Sequence, residues 1–203
     1  MSREEGTVFD RAYWEERYRH SGGSGRGPNP QLVAEVGELP PGTALDAGCG
    51  EGADARWLAE RGWRVTAVDI AAAALQRARE QDHTGRVDWV RADLTTWTPA
   101  AAGQHFDLVC ASYVHPAGGH EGLLRRLAAA VAPGGTLLVF GHAPAESSPH
   151  APGSHVTPEE LAAGLDPERW DVLVAEVRSR PVVGHDGREV MFRDAVLRAR
   201  RRP

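Results

Sequence analysis

The chain contains no lysine and only two cysteines among its 203 residues. All 23 cationic side chains are arginines, which together with many alanines, glycines and prolines indicates a GC-rich coding sequence rather than a binding adaptation. The net charge of −5 argues against a nucleic-acid surface, which needs a concentrated basic face. The one basic run, Arg198–Arg202, is interpreted as a solvated tail.

Cys49 and Cys110 lack the paired spacing of a metal or redox site, so we expect both to serve packing. No apolar stretch approaches the length of a membrane span, and the first residues are polar without a signal-peptide core. A chain of this length fits one domain with a substantial core. We therefore expect a single cytoplasmic domain over residues 1–203 that engages neither a membrane nor nucleic acid.

The most informative segment is Thr43–Asp54, with the sequence TALDAGCGEGAD. Its apolar start predicts a buried strand, and its end predicts the first turn of a helix. The glycines between them allow a sharp bend and a close approach of the backbone to a ligand. The free N–H groups of the helix face the same turn. Turns of this kind hold adenosine-bearing cofactors.

Three acidic residues lie at or near the ends of three successive predicted strands. Asp46 precedes the glycines, Asp69 follows Gly50 by 19 residues, and Asp93 ends the next strand. Each alone could be an ordinary turn or strand-end acid. Ligands of open α/β sheets bind outside the carboxyl ends of the strands, so three acids there indicate a nucleoside site.

Strands and helices alternate along the chain, which predicts a mainly parallel α/β sheet with right-handed crossovers. A hairpin through Gly184–Gly187 ends the chain. Helices are predicted at Phe9–Tyr18, Gln31–Glu38, Ala53–Arg61, Ala71–Gln81, Glu121–Val131 and shortly after Thr157. Strands after the first are predicted at Arg64–Val68, Val87–Arg91, Phe106–Ala111, Thr136–Phe140, Trp170–Arg178 and Arg188–Arg198.

The turn Asp46–Gly52 matches D-x-G-x-G-x-G better than G-x-G-x-x-G, because residue 53 is alanine. Together with the acid after the third strand and the segments Phe106–Tyr113 and Val131–Phe140, it resembles class I S-adenosylmethionine-dependent methyltransferases over roughly residues 30–142. The resemblance implies a Rossmann-like, doubly wound sheet of seven strands. The last strand is antiparallel beside the fifth, and helices cover both faces. The layout is also similar to the short tellurite-resistance and thiopurine-type methyltransferases.

The same resemblance implies a cofactor, S-adenosylmethionine, and a product, S-adenosylhomocysteine. Asp69 would accept the ribose hydroxyls, and Asp93 the adenine amino group. The aromatic N-terminal helix would close over the methionine end through Trp14 and Tyr18. The remaining cofactor residues that the resemblance implies are Asp46, Gly48, Cys49, Gly50, Ile70, Ala92, Leu94, Ala111 and Ser112.

Three parts of one domain are expected. Residues 1–30 form the aromatic helix and a glycine-rich stretch that is either a flexible linker or the hinge of a lid. Residues 31–142 form the cofactor-binding core. Residues 143–203 form a substrate-side loop and the C-terminal hairpin.

The acceptor side is harder to interpret. Methyl transfer from a sulfonium is an in-line displacement, so the protein mainly aligns the reactants and excludes water. A base is needed only for a protonated nucleophile. His115, just beyond the fourth strand, is the first candidate for a base or orienting group, followed by Tyr113 and His142. Loop roles are expected for His150 and His155.

Several alternatives remain open. These histidines and His120 could bind a metal, although no ligand spacing supports this and no metal is predicted. The favoured function is methylation of a small molecule by a monomer or homodimer. The protein could instead be a catalytically silent binding module, or a nucleic-acid or protein methyltransferase. The segment Ala111–Val114 lacks the Asn-Pro-Pro-Tyr-type tetrapeptide of many nitrogen-methylating enzymes. A nicotinamide oxidoreductase is disfavoured by Asp93 and the turn spacing.

Overall fold

The computed structural model describes residues 9–20, 27–116, 119–144, 155–183 and 189–203. Seven strands form one sheet in the order β3-β2-β1-β4-β5-β7-β6. The strands are β1 Thr43–Ala47, β2 Arg64–Asp69, β3 Val87–Arg91, β4 Phe106–Ser112, β5 Val131–His142, β6 Trp170–Val183 and β7 Glu189–Arg201.

Strands β1 to β5 are parallel, and β7 pairs antiparallel with both β5 and β6. The predicted fold class is therefore confirmed, including the antiparallel strand beside the fifth. The chain reverses direction along the sheet between β3 and β4, so β1 and β4 lie side by side at its centre. Ligands of such sheets bind at this switch point, outside the carboxyl ends of the strands.

Helices lie on both faces of the sheet. The α-helices are α1 Arg11–His20, α2 Pro30–Val36, α3 Ala53–Glu60, α4 Ala72–Gln81, α5 His120–Ala130 and α6 Pro158–Ala163. A short 3₁₀ turn at Pro99–Ala102, which the sequence did not predict, precedes β4. None of the described helices is long and apolar enough to cross a membrane.

The sheet separates two apolar layers. On one face, leucines of α5 and α6 such as Leu127 and Leu161 belong to one buried cluster with Leu45 and Val109 of the central strands. On the other face, Leu32 of α2 packs together with residues of α3. Both contact the strand side chains that point away from the first layer. The central parallel strands are buried on both faces, which is why their sequences are continuous apolar runs.

Most helix boundaries differ from the predictions by one or two residues, and the starts of α1 and α2 have a clear cause. α1 begins at Arg11, because the Asp10 carboxylate accepts the Tyr13 N–H (2.9 Å) and starts the helix two residues after the predicted start. α2 begins at Pro30, where the Asn29 side chain accepts the Gln31 N–H. The predicted glycine-rich linker falls mainly on 21–26 and the predicted hairpin turn on 184–187, both outside the described residues.

Two predictions at the end of the sheet were wrong. β5 begins at Val131, five residues before the predicted start, because Val131 already pairs with Phe106 ahead of an irregularity in the ladder. The arginine run is not a solvated tail but the end of β7. Arg201 donates to the Val131 carbonyl, and Arg198 contacts the buried Glu35 carboxylate of α2. The run is ordered because these acceptors lie beside the strand.

Gly52 should be irreplaceable for steric reasons. It has a φ of +76° at the start of α3, and a β-carbon there would collide with the Trp89 ring. We expect Gly52→Ala to lower the free energy of unfolding by about 2–4 kcal/mol, from backbone strain plus overpacking. Gly103→Ala is the matched control. Its φ is +75° with no atom within 4 Å of the added carbon, so only the backbone strain of about 1 kcal/mol is expected. Urea unfolding measures both, and equal losses would contradict the steric explanation.

Candidate active site

The glycine turn lies where the sheet reverses direction. Gly48, Gly50 and Gly52 all have positive φ, which a side chain would strain. The N–H groups of Gly48 and Cys49 both donate to the Val68 carbonyl at 2.8 and 3.0 Å. These bonds fix the turn against the end of β2, beside Asp69.

Three carboxylates meet beneath this turn. Burial raises the pKa of Asp46 well above its ordinary value, and the neighbouring carboxylates of Asp54 and Asp69 raise it further. The Oδ2 atom of Asp46 is buried and has no hydrogen-bond donor among the described residues. The turn therefore covers concentrated negative charge that the surrounding protein leaves partly uncompensated.

Sequence reasoning missed Asp54, the second residue of α3. Its carboxylate accepts the Asn29 N–H at 2.6 Å and the Ser112 hydroxyl at 3.0 Å. Burial raises its pKa, and these two hydrogen bonds oppose the rise. Asp54 thus ties the start of α2 and the end of β4 to the glycine turn. The available signal was an acid in the first turn of a helix that follows a glycine-rich loop.

Asp69 holds two backbone segments. Its carboxylate accepts the N–H groups of Gly50 and Ala71, each at 2.8 Å. Burial raises its pKa, and these backbone donors act against that rise. Asp69 therefore fixes the glycine turn to the start of α4.

Asp93 lies at the same edge, but in a different environment. The Asp69 carbonyl accepts the N–H of Ala92 (3.1 Å), which places Asp93 and Leu94 next to β2. Asp93 Oδ1 accepts the Thr95 hydroxyl and N–H at 2.6 and 2.8 Å, and this hydroxyl is the main cause of its lowered pKa. Asp93 is thus an ionised turn residue outside the buried group.

α1 lies over the turn. The Glu15 carboxylate accepts the Ala72 N–H at the start of α4 (2.7 Å), where the helix has no side-chain cap of its own. A β-carbon on Gly50 would lie 2.7 Å from the Tyr18 hydroxyl, so this phenol closes the turn from above. Burial, followed by the Asp69 charge, raises the pKa of Tyr18, which stays protonated.

Aromatic rings continue from α1 to the ends of β4 and β5. Trp14 stacks on His115 with ring centroids 6.0 Å apart, and His115 stacks on His142 at 5.7 Å. His142 in turn stacks on Tyr113 at 4.6 Å and meets Phe192 edge-on at 6.1 Å. The structure thus brings the three predicted acceptor-side residues, His115, His142 and Tyr113, together with Trp14. Trp14, His115, His142, Tyr113 and Phe192 together are called the ring wall below.

Arg180 and Asp194 adjoin this wall, and sequence reasoning missed both. The Arg180 Nε–H donates to Asp194 at 2.6 Å, and its Nη2 donates to the Tyr113 hydroxyl at 3.0 Å. Tyr113 has a φ of 56°, unusual for a residue with a side chain. Burial, with the nearby Asp194 charge, raises the pKa of Tyr113 and keeps its proton in place.

The other predicted residues have plainer surroundings. Burial raises the pKa of both Cys49 and Cys110, so the thiols stay protonated and pack. His155 pairs with His142 through the backbone, and His120 begins α5. His150 lies outside the described residues. Within the described ranges, no three or more His, Cys, Asp or Glu side chains are arranged to hold a metal ion.

An open groove of about 820 Å³ lies at the opposite edge of the sheet. It is lined by the first residues of three strands, Thr43, Arg64 and Val87. The five residues of β1 separate it from the glycine turn by roughly 16 Å. The groove therefore cannot contact the three buried carboxylates.

The three buried carboxylates should lower the stability of the fold at neutral pH. Because the folded pKa of Asp46 lies above its unfolded value, its ionisation costs stability as pH rises through that interval. We expect Asp46→Asn to stabilise the protein by about 1–3 kcal/mol at neutral pH, with the gain shrinking on acidification. Exposed Asp88→Asn is the control and should change little. Urea unfolding at several pH values measures the change in stability. A lower stability of Asp46→Asn at neutral pH would contradict repulsion among these carboxylates.

Comparison with known proteins agrees with this arrangement. Residues 44–135, which contain the glycine turn and all four acids, match the family model of a methyltransferase domain. Trans-aconitate 2-methyltransferase of Paracidovorax citrulli is 41% identical over 115 residues, covering 55% of this chain and 43% of that protein. The protein of that name from Delftia acidovorans is 36% identical over a similar stretch. The chain thus spans less than half the length of these curated relatives.

Solved structures show the same fold across nearly the whole chain. A methyltransferase from Anabaena variabilis superposes with a TM-score of 0.71 at 14% identity, covering 97% of each chain. TehB from Haemophilus influenzae superposes with a TM-score of 0.70 at 16% identity, covering 95% of this chain and 67% of that one. The resemblance expected from the glycine turn and the strand-end acids is confirmed: residues 44–135 match a methyltransferase domain, and the described chain has the fold of S-adenosylmethionine-dependent methyltransferases.

Proposed function

We propose that this protein is an enzyme that transfers a methyl group from S-adenosylmethionine to a small-molecule acceptor. The observation that supports this most strongly is the group of buried carboxylates beneath the glycine turn. The relatives named for trans-aconitate act on a small molecule, which supports an acceptor of that size. These relatives match only 55% of this chain and the family model ends at residue 135, so the acceptor itself does not transfer to this chain.

The cofactor of this family fits the site. When bound, S-adenosylmethionine supplies a methyl group already activated by the positive sulfonium. Its ammonium and sulfonium charges suit a site where Asp46 Oδ2 is buried without a hydrogen-bond donor among the described residues. The glycines leave room for close approach of the backbone, which side chains would block.

The proposed cofactor contact of each residue follows from its position along the carboxyl ends of the strands. Asp69 would accept the ribose hydroxyls while it keeps Gly50 and Ala71 in place. Ile70, Ala92, Asp93 and Leu94 would surround the adenine. Gly48, Cys49, Ala111 and Ser112 would line the methionine end, near Asp46 and Asp54.

On the acceptor side, this chain aligns the reactants and excludes water. Trp14 and Tyr18 would cover the reacting centre when α1 lies on the turn. Since the Tyr113 pKa is raised, its phenol is a hydrogen-bond donor rather than a base. His115 and His142 remain the candidates to take a proton from a methyl acceptor that arrives protonated.

The cofactor role of Asp69 can be tested by calorimetry. We expect the intact protein to bind both S-adenosylmethionine and S-adenosylhomocysteine, and Asp69→Asn to bind at least 10-fold more weakly, through loss of charged hydrogen bonds. Asp88→Asn should bind like the wild type. Failure of the intact protein to bind either compound would end the proposal. Binding without methyl transfer to a broad panel of thiols, amines, phenols and acids would favour the silent module.

The lid role of α1 rests on Glu15, which caps α4. Removing a helix cap costs about 0.5–2 kcal/mol, so Glu15→Ala should release S-adenosylmethionine about 2- to 30-fold faster. The adjacent Glu16 is exposed, and within the described part of the chain its carboxylate pairs with Arg19 and His20 of its own helix. Glu16→Ala is therefore the matched control. Stopped-flow tryptophan fluorescence measures both rates, and equal rates would argue against the lid.

A further inference from the structure

The acceptor side contains an arginine that the proposed mechanism does not use. Arg180 extends from β6 across β7, and its guanidinium reaches the Tyr113 hydroxyl just beyond β4. The carboxyl end of β4 is where the methyl acceptor is expected to lie. The guanidinium, which is paired with Asp194, is therefore a fixed hydrogen-bond donor on that side of the site.

Arg180 is held in place on several sides. Asp194, which is 0% exposed and lies opposite His142 in the β5–β7 ladder, accepts its Nε–H. The guanidinium carbon lies 5.7 Å from the centre of the Tyr113 ring and 5.6 Å from that of Phe192. A guanidinium fixed in this way loses little further entropy when it binds a ligand.

The guanidinium still has hydrogen-bonding capacity. Among the described residues, Asp194 and Tyr113 take up two of its five N–H donors, which leaves three for a ligand. The Arg180 side chain is 26% exposed, so these donors are not sealed inside the protein. A planar fork of donors matches a carboxylate better than any neutral group.

The ring wall extends from Arg180 toward the lid. Tyr113 and Phe192 flank the guanidinium, His142 touches both rings, and His115 follows toward Trp14 of α1. An acceptor lying along this wall would place its apolar body on the rings. Its end at the β6 side would meet the Arg180 donors.

We propose that Arg180 binds a carboxylate of the methyl acceptor, so that the substrate class is small organic acids with a flat apolar body. This inference rests on the proposed methyltransferase function and deepens it. Asp194 and Tyr113 are positioning residues, because they act by holding the guanidinium. Anionic acceptors are favoured at this end and repelled from the cofactor end, where Asp46, Asp54 and Asp69 are concentrated.

The test measures binding to the protein loaded with S-adenosylhomocysteine. Ligand-observed NMR at neutral pH compares flat aromatic and unsaturated carboxylic acids with their primary amides, for example cinnamate with cinnamamide. We expect the acids to bind at least 10-fold more tightly than the matched amides. Arg180→Gln alone would leave Asp194 buried and unpaired, so the main variant is the double substitution Arg180→Gln with Asp194→Asn.

In this double variant, acids should bind no better than their amides, while S-adenosylhomocysteine binding stays unchanged. Arg193→Gln is the control, because Arg193 lies beside Asp194 on β7 but donates to the Pro144 carbonyl. It should preserve the preference for acids. Three outcomes would overturn this inference but not the proposed function. They are equal binding of acids and amides by the wild type, no binding of any acid, and an unchanged preference for acids in the double variant. Absence of S-adenosylhomocysteine binding would overturn the proposed function as well.

Discussion

Negative charge buried beneath a glycine turn is the constraint on which the rest of the site depends. The carboxylates of Asp54 and Asp69 act on that of Asp46 where water cannot screen them. The fold tolerates this because backbone N–H groups and one hydroxyl donate to two of the three carboxylates. One oxygen of Asp46 still lacks a donor among the described residues. Such an arrangement suits the binding of a cationic ligand better than it suits stability.

The topology of the sheet explains how these groups come together. β1 lies between β2 and β4, so residues at the ends of three strands face one region. The same end of the sheet continues through β5 to β7 and β6. There, Arg180 is the charged residue to which we assign a role in binding the substrate. The site therefore has an acidic half and a half that contains an arginine. The contact between Trp14 of α1 and His115 joins the two halves.

Local sequence patterns predicted most of the framework. Apolar runs and glycine-rich breaks located the seven strands and the glycine turn, because each depends on residues close in the chain. The order of the last strands came only from the family resemblance. The start of β5 was missed, since it depends on pairing with Phe106. The residues that were missed in the site, such as Glu15, Asp54 and Arg180, act on partners 57, 58 and 67 positions away. Only the folded topology brings such pairs together.

Proton release on cofactor binding tests the central claim most directly. A cation that meets carboxyl groups with raised pKa values should drive protons off them. We therefore expect calorimetric titrations of S-adenosylmethionine, in buffers of different ionisation enthalpy at mildly acidic pH, to show net proton release. The release should diminish in Asp46→Asn. Binding without proton exchange, or with proton uptake, would contradict a cofactor site built on these buried carboxylates.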